Sequence, residues 1–155
     1  MLEMRLLVRF VFFGFFLSAT ATFPVFSQTD QTIYTDSRQN SWQDWGWATT
    51  INYANTSPVH SGSDSIRVTL GNPWEAIYIA HTAFDSTPYT NLTFWINGGP
   101  SGGQQLLVQG HAGGNYQTSV NLAPLAANTW QKISISLAAL EIGRASCRER
   151  VFITV

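Results

Sequence analysis

The spacing of turn-forming residues between Gln28 and Leu140 most constrains the fold of this chain. Clusters of Gly, Pro, Asn and Ser interrupt the sequence at short intervals, and no window shows a sustained period of 3.6 residues. Residues 97–103, NGGPSGG, are typical of a hairpin loop, and residues 112–115, AGGN, are typical of a second tight turn. This pattern predicts an all-β domain over residues 28–140, folded as a two-sheet antiparallel β-sandwich.

The predicted strands alternate apolar and polar side chains. Ile66, Val68 and Leu70, for example, are separated by single polar residues. Since successive side chains of a strand point to opposite faces, such strands bury an aliphatic face and leave a polar one. We predict strands at Gln31–Asp36, Trp45–Tyr53, Ser65–Leu70, Ala76–Ala80, Asn91–Ile96, Gln105–Val108, Gln117–Asn121 and Gln131–Leu137.

Residues 1–27 have the pattern of a secretory signal peptide. Arg5 and Arg9 flank the start of an apolar run, Phe10–Leu17, which small residues follow. The run is shorter than the roughly 20 apolar residues that span a bilayer. We expect cleavage after Ala21 or Ser27, secretion to the extracellular space, and no membrane association after cleavage. An uncleaved membrane anchor is the alternative.

The last fifteen residues differ in composition from the rest of the chain. Glu141–Val155 holds three of the eight basic residues and the only cysteine, Cys147. The stretch Glu141–Val151, EIGRASCRERV, resembles the translation of a common sequencing adapter. We therefore predict that residues 141–155 are an artefactual tail and exclude them from the chemistry. The alternative is a short basic helix with a reactive thiol.

Composition excludes several functions for residues 28–140. This segment has three basic and six acidic residues and no cysteine, which argues against nucleic-acid binding and against a cysteine-based metal site. It contains no G-x-S-x-G or H-E-x-x-H motif, and no pair of carboxylates is marked by spacing as a glycosidase dyad. Its abundant Ser, Thr, Asn and Gln suit neutral polar ligands.

All six tryptophans lie in this segment, and three of them form the run WQDWGW at residues 42–47. Trp45 and Trp47 share one face of an extended strand. An indole ring offers an apolar surface to the C–H groups of a pyranose, while neighbouring amides can hydrogen-bond its hydroxyls. Burial of these rings in the core is the alternative.

A second platform follows from the register of residues 74–81. If Ile77 and Ile79 point to the core, Trp74 and Tyr78 point outwards. Other strands direct further aromatic and polar side chains to the same side, and the whole set would form one face if those strands are neighbours. A solvated face or one covered by another domain is the alternative. The predicted ligand face is Trp74, Tyr78, Trp95, Gln109 and His111, with Trp45 and Trp47 as the alternative platform.

Three segments carry a resemblance to known proteins. Ile33–Leu70, Phe84–Gly99 and Asn128–Leu140, with the motifs SGSDSIRV and LTFWING, are similar to secreted β-jelly-roll modules of the carbohydrate-binding and galactose-binding-like type, which are attached to polysaccharide-degrading enzymes. The resemblance implies a jelly roll, a polysaccharide or oligosaccharide ligand, and an attached catalytic domain in the intact protein.

The same resemblance implies a structural calcium ion. Asp36 matches the acidic ligand near the first strand, whereas the acidic motif of the last strand is absent because the likeness ends at Glu141. The calcium site is then incomplete, since calcium prefers about 6–8 oxygen ligands. A jelly roll that is incomplete at its C-terminus also leaves strand edges unpaired. We therefore predict that this chain is unstable or prone to aggregation.

Three functions remain open from the sequence. The first, which we favour, is non-catalytic carbohydrate binding by a secreted module. The second is the N-terminal fragment of a glycan hydrolase or lyase whose catalytic residues lie beyond Leu140. The third is a structural or adhesion module of an exported multidomain protein.

Overall fold

The computed structural model describes residues 4–5, 29–142 and 149–154. These residues form ten strands and no helix, so none of the described segments is a helix that could cross a membrane. All strand pairs are antiparallel, and the predicted all-β class is confirmed. The strands are β1 (Met4–Arg5), β2 (Gln43–Asp44), β3 (Thr50–Asn55), β4 (Ser65–Thr69), β5 (Ala76–Ala80), β6 (Asn91–Asn97), β7 (Leu107–Ala112), β8 (Asn115–Asn121), β9 (Trp130–Ser136) and β10 (Glu149–Thr154).

The described strands form three sheets. One has the order β1-β6-β9, the second has the order β2-β5-β10-β7-β8, and the third pairs β3 with β4. The two-sheet jelly roll expected from the sequence is therefore not confirmed. The antiparallel hairpin β7–β8 turns at Gly113 and Gly114, which both have positive φ. Glycine adopts this backbone conformation without a steric penalty.

The core draws its side chains from all three sheets. Ile66 of β4, Ile79 of β5, Phe94 of β6, Val108 of β7 and Ile135 of β9 belong to one buried cluster. The inward faces that alternation predicts for these strands are thus confirmed. Burying each of these side chains contributes about 1.5–3 kcal/mol, so the core fixes which face of each strand remains available to a ligand.

One predicted strand is divided into two by a change of sheet. Residues 43–48 run antiparallel to β5, where Trp45 N donates to Tyr78 O (2.8 Å) and Trp47 N donates to Ala76 O (3.0 Å). From Thr50 the chain pairs instead with β4. The predicted strand Trp45–Tyr53 therefore becomes a crossing segment, residues 45–49, and β3, with β2 before it. The backbone bends at residues 48–49, and periodicity does not detect this change of sheet.

The predicted first strand, Gln31–Asp36, is a loop with one isolated bridge between Tyr34 and Arg38. Its apolar members are nevertheless buried, at Ile33 and Tyr34. The main chain folds back locally, since Gln39 N donates to Ile33 O (2.9 Å). The predicted strand is therefore wrong, although its two apolar residues are buried.

The predicted signal peptide, residues 1–27, lies outside the described residues except for Met4 and Arg5, whose backbone pairs with β6.

Of the predicted tail, residues 141–142 and 149–154 are described. Ile142 is buried, and β10 lies between β5 and β7 in the five-stranded sheet. Pairing of this kind uses main-chain groups that every non-proline residue carries, so it does not test the origin of the tail. The pairing does give β5 and β7 a partner strand, where a jelly roll without its last strand was expected to leave strand edges unpaired.

The position of β10 gives a direct test. Val151 is opposite Ile79 on one side and Gly110 on the other, so its N–H faces a neighbouring strand in either direction. Val151→Pro removes this donor from a central strand. We expect a loss of about 2 kcal/mol or more in the free energy of unfolding, or about 10 °C in Tm, measured by circular dichroism.

Val151→Ile is the control, because it keeps both the N–H and the β-branched shape. Equal Tm values for the proline variant and the parent would show that β10 is not part of the sheet in solution. Cooperative unfolding of residues 28–155 at a temperature typical of mesophilic domains would contradict the predicted instability.

Candidate functional site

The crossing segment places two tryptophans beside β5. Trp45 and Trp47 are 48% and 47% exposed, and their main-chain N–H groups are fixed on the carbonyls of β5. The adjacent Gly46 is required by close packing, since a Cβ there would lie 2.9 Å from Ala76 O. The predicted shared face of the two rings therefore arises from main-chain bonds along β5.

Both rings contact Tyr78 of β5. The ring centroids of Trp45 and Tyr78 are 6.2 Å apart with planes at 88°, and those of Trp47 and Tyr78 are 5.9 Å apart at 74°. Edge-to-face geometry of this kind is favoured for aromatic pairs. Tyr78 itself is only 9% exposed. Tyr78 lies outside the buried cluster that contains Ile77 and Ile79, but the neighbouring rings cover it, so it is not the exposed residue that parity predicts.

The cluster continues across the sheet to β7 and β8. The ring centroid of His111 lies 6.3 Å from that of Tyr78 and 5.2 Å from that of Tyr116, which is 68% exposed. Gln109 Nε2 donates to Gln117 O (2.6 Å). We refer to Trp45, Trp47, Trp74, Tyr78, Gln109, His111 and Tyr116 together as the aromatic face.

Trp74 lies at the end of the turn before β5 and is 75% exposed. Its carbonyl accepts a hydrogen bond from Trp47 Nε1 (2.6 Å). Its φ is 68°, a left-handed conformation that costs an L-residue other than glycine roughly 1–2 kcal/mol. The surrounding hydrogen bonds must offset this cost, and strained residues of this kind cluster at ligand sites.

The next residue, Glu75, has a buried side chain that anchors the turn. Its carboxylate accepts hydrogen bonds from Thr49 N (2.9 Å), Thr49 Oγ1 (2.8 Å), Gly71 N (2.7 Å) and Asn72 Nδ2 (2.8 Å). These donors, the Asn72 amide foremost, lower the pKa of Glu75 to about 2. The group is therefore ionised at neutral pH.

The structure does not bring Trp95 to the aromatic face. Trp95 lies in β6, where its partner is Lys132 of β9 in the three-stranded sheet. Its ring stacks on His60 at 3.9 Å and 21°, and Trp130 meets the same imidazole edge-on at 5.6 Å. Trp95 could share a face with the other four predicted residues only if their strands lay in one sheet. Because β6 belongs to a different sheet from β5 and β7, the placement of Trp95 on this face is wrong.

Tyr116 belongs to the aromatic face but not to the predicted ligand face. It lies between the predicted turn, residues 112–115, and the predicted strand from Gln117, whereas β8 begins at Asn115. Alternation would place Tyr116 on the same side as Val120, which packs against the core. A register shift between Gln109 and His111 sets it opposite His111 instead, and periodicity gives no signal for such a shift. The two platforms proposed as alternatives, Trp45 with Trp47 and Trp74 with Tyr78, form one surface.

Asp36 holds the loop at residues 63–64 through hydrogen bonds. Its Oδ1 accepts hydrogen bonds from Ser63 N (2.7 Å) and Asp64 N (3.0 Å), and these bonds lower the pKa of Asp36. Within residues 29–142, no group of three or more His, Cys, Asp or Glu side chains could hold a metal ion. The described surroundings of Asp36 therefore do not form a carboxylate cage, and the calcium site remains a prediction from resemblance.

Comparison with known proteins gives one informative match. The chain is 31% identical over 111 residues to an endoglucanase of Dictyostelium discoideum. The matched region is 67% of this chain and 16% of that protein, so the chain spans a small part of its relative. No protein-family model matches the chain.

The anchoring of the turn by Glu75 predicts a pH dependence. The pKa of this group falls from 4.5 to about 2 on folding, so its ionised form stabilises the folded state above about pH 4.5, and this contribution is lost as the pH falls towards 2. We expect the Tm difference between the parent and Glu75→Gln to be full at about pH 6 and to shrink between pH 4.5 and 2.

Thermal unfolding of both proteins across this range measures the effect, and the comparison cancels the titration of all other groups. A Tm difference that stays constant down to about pH 2 would show that the carboxylate is not the group that anchors the turn.

Proposed function

We propose that this domain binds carbohydrate without catalysis, and that the aromatic face is its ligand surface. The observation that carries the proposal is the grouping of three exposed tryptophans, Trp45, Trp47 and Trp74, beside one sheet. Exposed apolar side chains gathered in one patch mark interaction surfaces, whereas isolated ones are ordinary.

The chemistry of the aromatic face suits a neutral sugar. The indole rings offer apolar faces to pyranose C–H groups, and the polar groups among them are amides and an imidazole rather than a charged array. Trp45 Nε1, for example, donates to Gln43 Oε1 (3.0 Å), and Gln109 and His111 lie on β7 of the same sheet. Hydroxyl groups of a polysaccharide or oligosaccharide can exchange hydrogen bonds with such groups.

Three of the described carboxylates act as loop anchors, and none of these three has the raised pKa of a general acid. Hydrogen bonds from loop donors lower the pKa of Asp36, Glu75 and Asp85. A glycosidase needs one carboxylic acid with a raised pKa to protonate the leaving group. The three groups instead act as acceptors that fix loops, as Asp85 does for Thr87 N (2.9 Å).

The likeness to a protein named endoglucanase is compatible with a carbohydrate-related role. Because the chain spans only 16% of that protein, a targeting module that holds glycan near an attached catalytic domain fits the comparison. The signal-peptide pattern predicted for residues 1–27 supports the further proposal that the protein is secreted and meets its ligand outside the cell.

Affinity electrophoresis tests the ligand and the surface together. We expect hydroxyethylcellulose, xylan, mannan or pectin in the gel to retard the full chain. A sugar ring that covers about 60 Å² of indole contributes about 1.5 kcal/mol, so Trp45→Ala and Trp47→Ala should each weaken binding about tenfold.

Trp130→Ala is the matched control, because Trp130 is a partly exposed tryptophan of the other large sheet. Retardation that survives both test variants but is lost in the control would move the site to the β6–β9 sheet. Release of reducing sugar by the intact gene product would favour the hydrolase alternative. No retardation by any glycan would contradict carbohydrate binding.

A further inference from the structure

Two chain segments supply the exposed tryptophans of the aromatic face, and one side chain joins them. Trp47 belongs to the crossing segment and Trp74 to the turn before β5, so they are 27 residues apart in sequence. Glu75 follows Trp74 directly, and its carboxylate accepts hydrogen bonds from Thr49, two residues beyond Trp47. The position of one ring relative to the other therefore depends on this carboxylate.

The hydrogen bonds of Glu75 use both of its oxygens. Oε1 accepts from Thr49 Oγ1 and Asn72 Nδ2, each at 2.8 Å. Oε2 accepts from Thr49 N (2.9 Å) and Gly71 N (2.7 Å), and it also lies 2.8 Å from Thr49 Oγ1. A carboxylate is an acceptor only, which matches a site where every neighbour is a donor. An amide would place its own NH₂ group against one of these donors.

Three further hydrogen bonds join the main chain on either side of Glu75 to the crossing segment. Ala76 O accepts from both Trp47 N (3.0 Å) and Ala48 N (3.1 Å), and Trp47 Nε1 donates to Trp74 O. Gly71 has no room for a side chain, since a Cβ there would lie 2.6 Å from Thr49 Oγ1. The turn is thus closely fitted to the crossing segment on both sides of Trp74.

We propose that Glu75 is a positioning residue for glycan binding, which holds Trp74 in its strained conformation and sets its place beside Trp47 without touching the ligand. This inference rests on the proposed function. It predicts that the carboxylate affects affinity through Trp74, because a ring that is fixed before binding loses less conformational entropy when the sugar arrives.

The experiment is a double-mutant cycle on the full chain, with the most strongly retarding glycan as the probe. Glu75→Gln should weaken binding about fivefold or more, within the coupling expected inside one hydrogen-bond network. In a Trp74→Ala background the same substitution should change affinity less than about twofold, since the ring that Glu75 positions is already gone.

Asp85→Asn is the matched control. Asp85 accepts from Thr87 N (2.9 Å) and Thr87 Oγ1 (2.6 Å) in the loop between β5 and β6, so it is a similar anchor at a different place. We expect the Asp85→Asn variant to bind the glycan with the affinity of the parent. The indole N–H resonance of Trp47 should shift in Glu75→Gln and remain in place in Asp85→Asn, because that N–H donates to Trp74 O.

Thr49→Val provides a second route if Glu75→Gln fails to fold. It removes the hydroxyl donor and keeps the main-chain N–H, so we expect an intermediate loss of affinity that also disappears with Trp74→Ala. Wild-type affinity in folded Glu75→Gln, or an equal loss with and without Trp74, would overturn the positioning role.

The two proposals fail in different ways. If the parent binds no glycan, the proposed function is wrong, and a Trp47 resonance that shifts only in Glu75→Gln still shows that Glu75 sets the geometry of the turn. If the parent binds glycan and Glu75→Gln changes neither affinity nor resonance, the proposed function stands and the role of Glu75 is wrong.

Discussion

The aromatic face depends on the main-chain hydrogen bonds that hold the crossing segment along β5. The N–H groups of Trp45 and Trp47 donate to alternate carbonyls of this strand, so the two side chains emerge on one side at the spacing of a strand. Beyond Thr49 the chain leaves β5 for β4, which ends the platform at that edge. The shared side of Trp45 and Trp47 and the edge of the platform thus both follow from where the chain pairs with β5 and where it leaves it.

Local alternation predicted the parts of the site that lie within one strand. Ile77 and Ile79 are buried, as the alternation of side chains along a strand predicts. Trp74 is exposed as predicted, but it lies in the turn before β5 with a φ of 68°, so alternation is not the cause of its position. It could not predict that Trp95 lies in another sheet, since strand pairing between distant segments leaves no periodic signal. It also could not show that Trp45 and Tyr78 are in contact, which depends on the pairing of residues 43–48 with β5.

The fold shows the same division between local and long-range information. Five of the eight predicted strands are found with shifts of at most two residues at their ends, and a sixth, Gln105–Val108, shares only two residues with β7. These matches are possible because apolar alternation between turns is a local property. The number of sheets was not predicted. It depends on which strand edges meet, and that choice is fixed by the shared core to which Ile66, Phe94 and Val108 contribute from three different sheets.

The carboxylates explain how a domain with few charges can hold strained loops. Glu75 and Asp36 each accept several N–H donors from a neighbouring turn, and charge-assisted bonds of this kind are roughly twice as strong as neutral ones. One such anchor beside Trp74 offsets the free-energy cost of its left-handed backbone conformation. The free-energy cost of this conformation is then borne during folding rather than on binding, so the backbone of Trp74, the most exposed residue of the aromatic face, is set before a ligand reaches it.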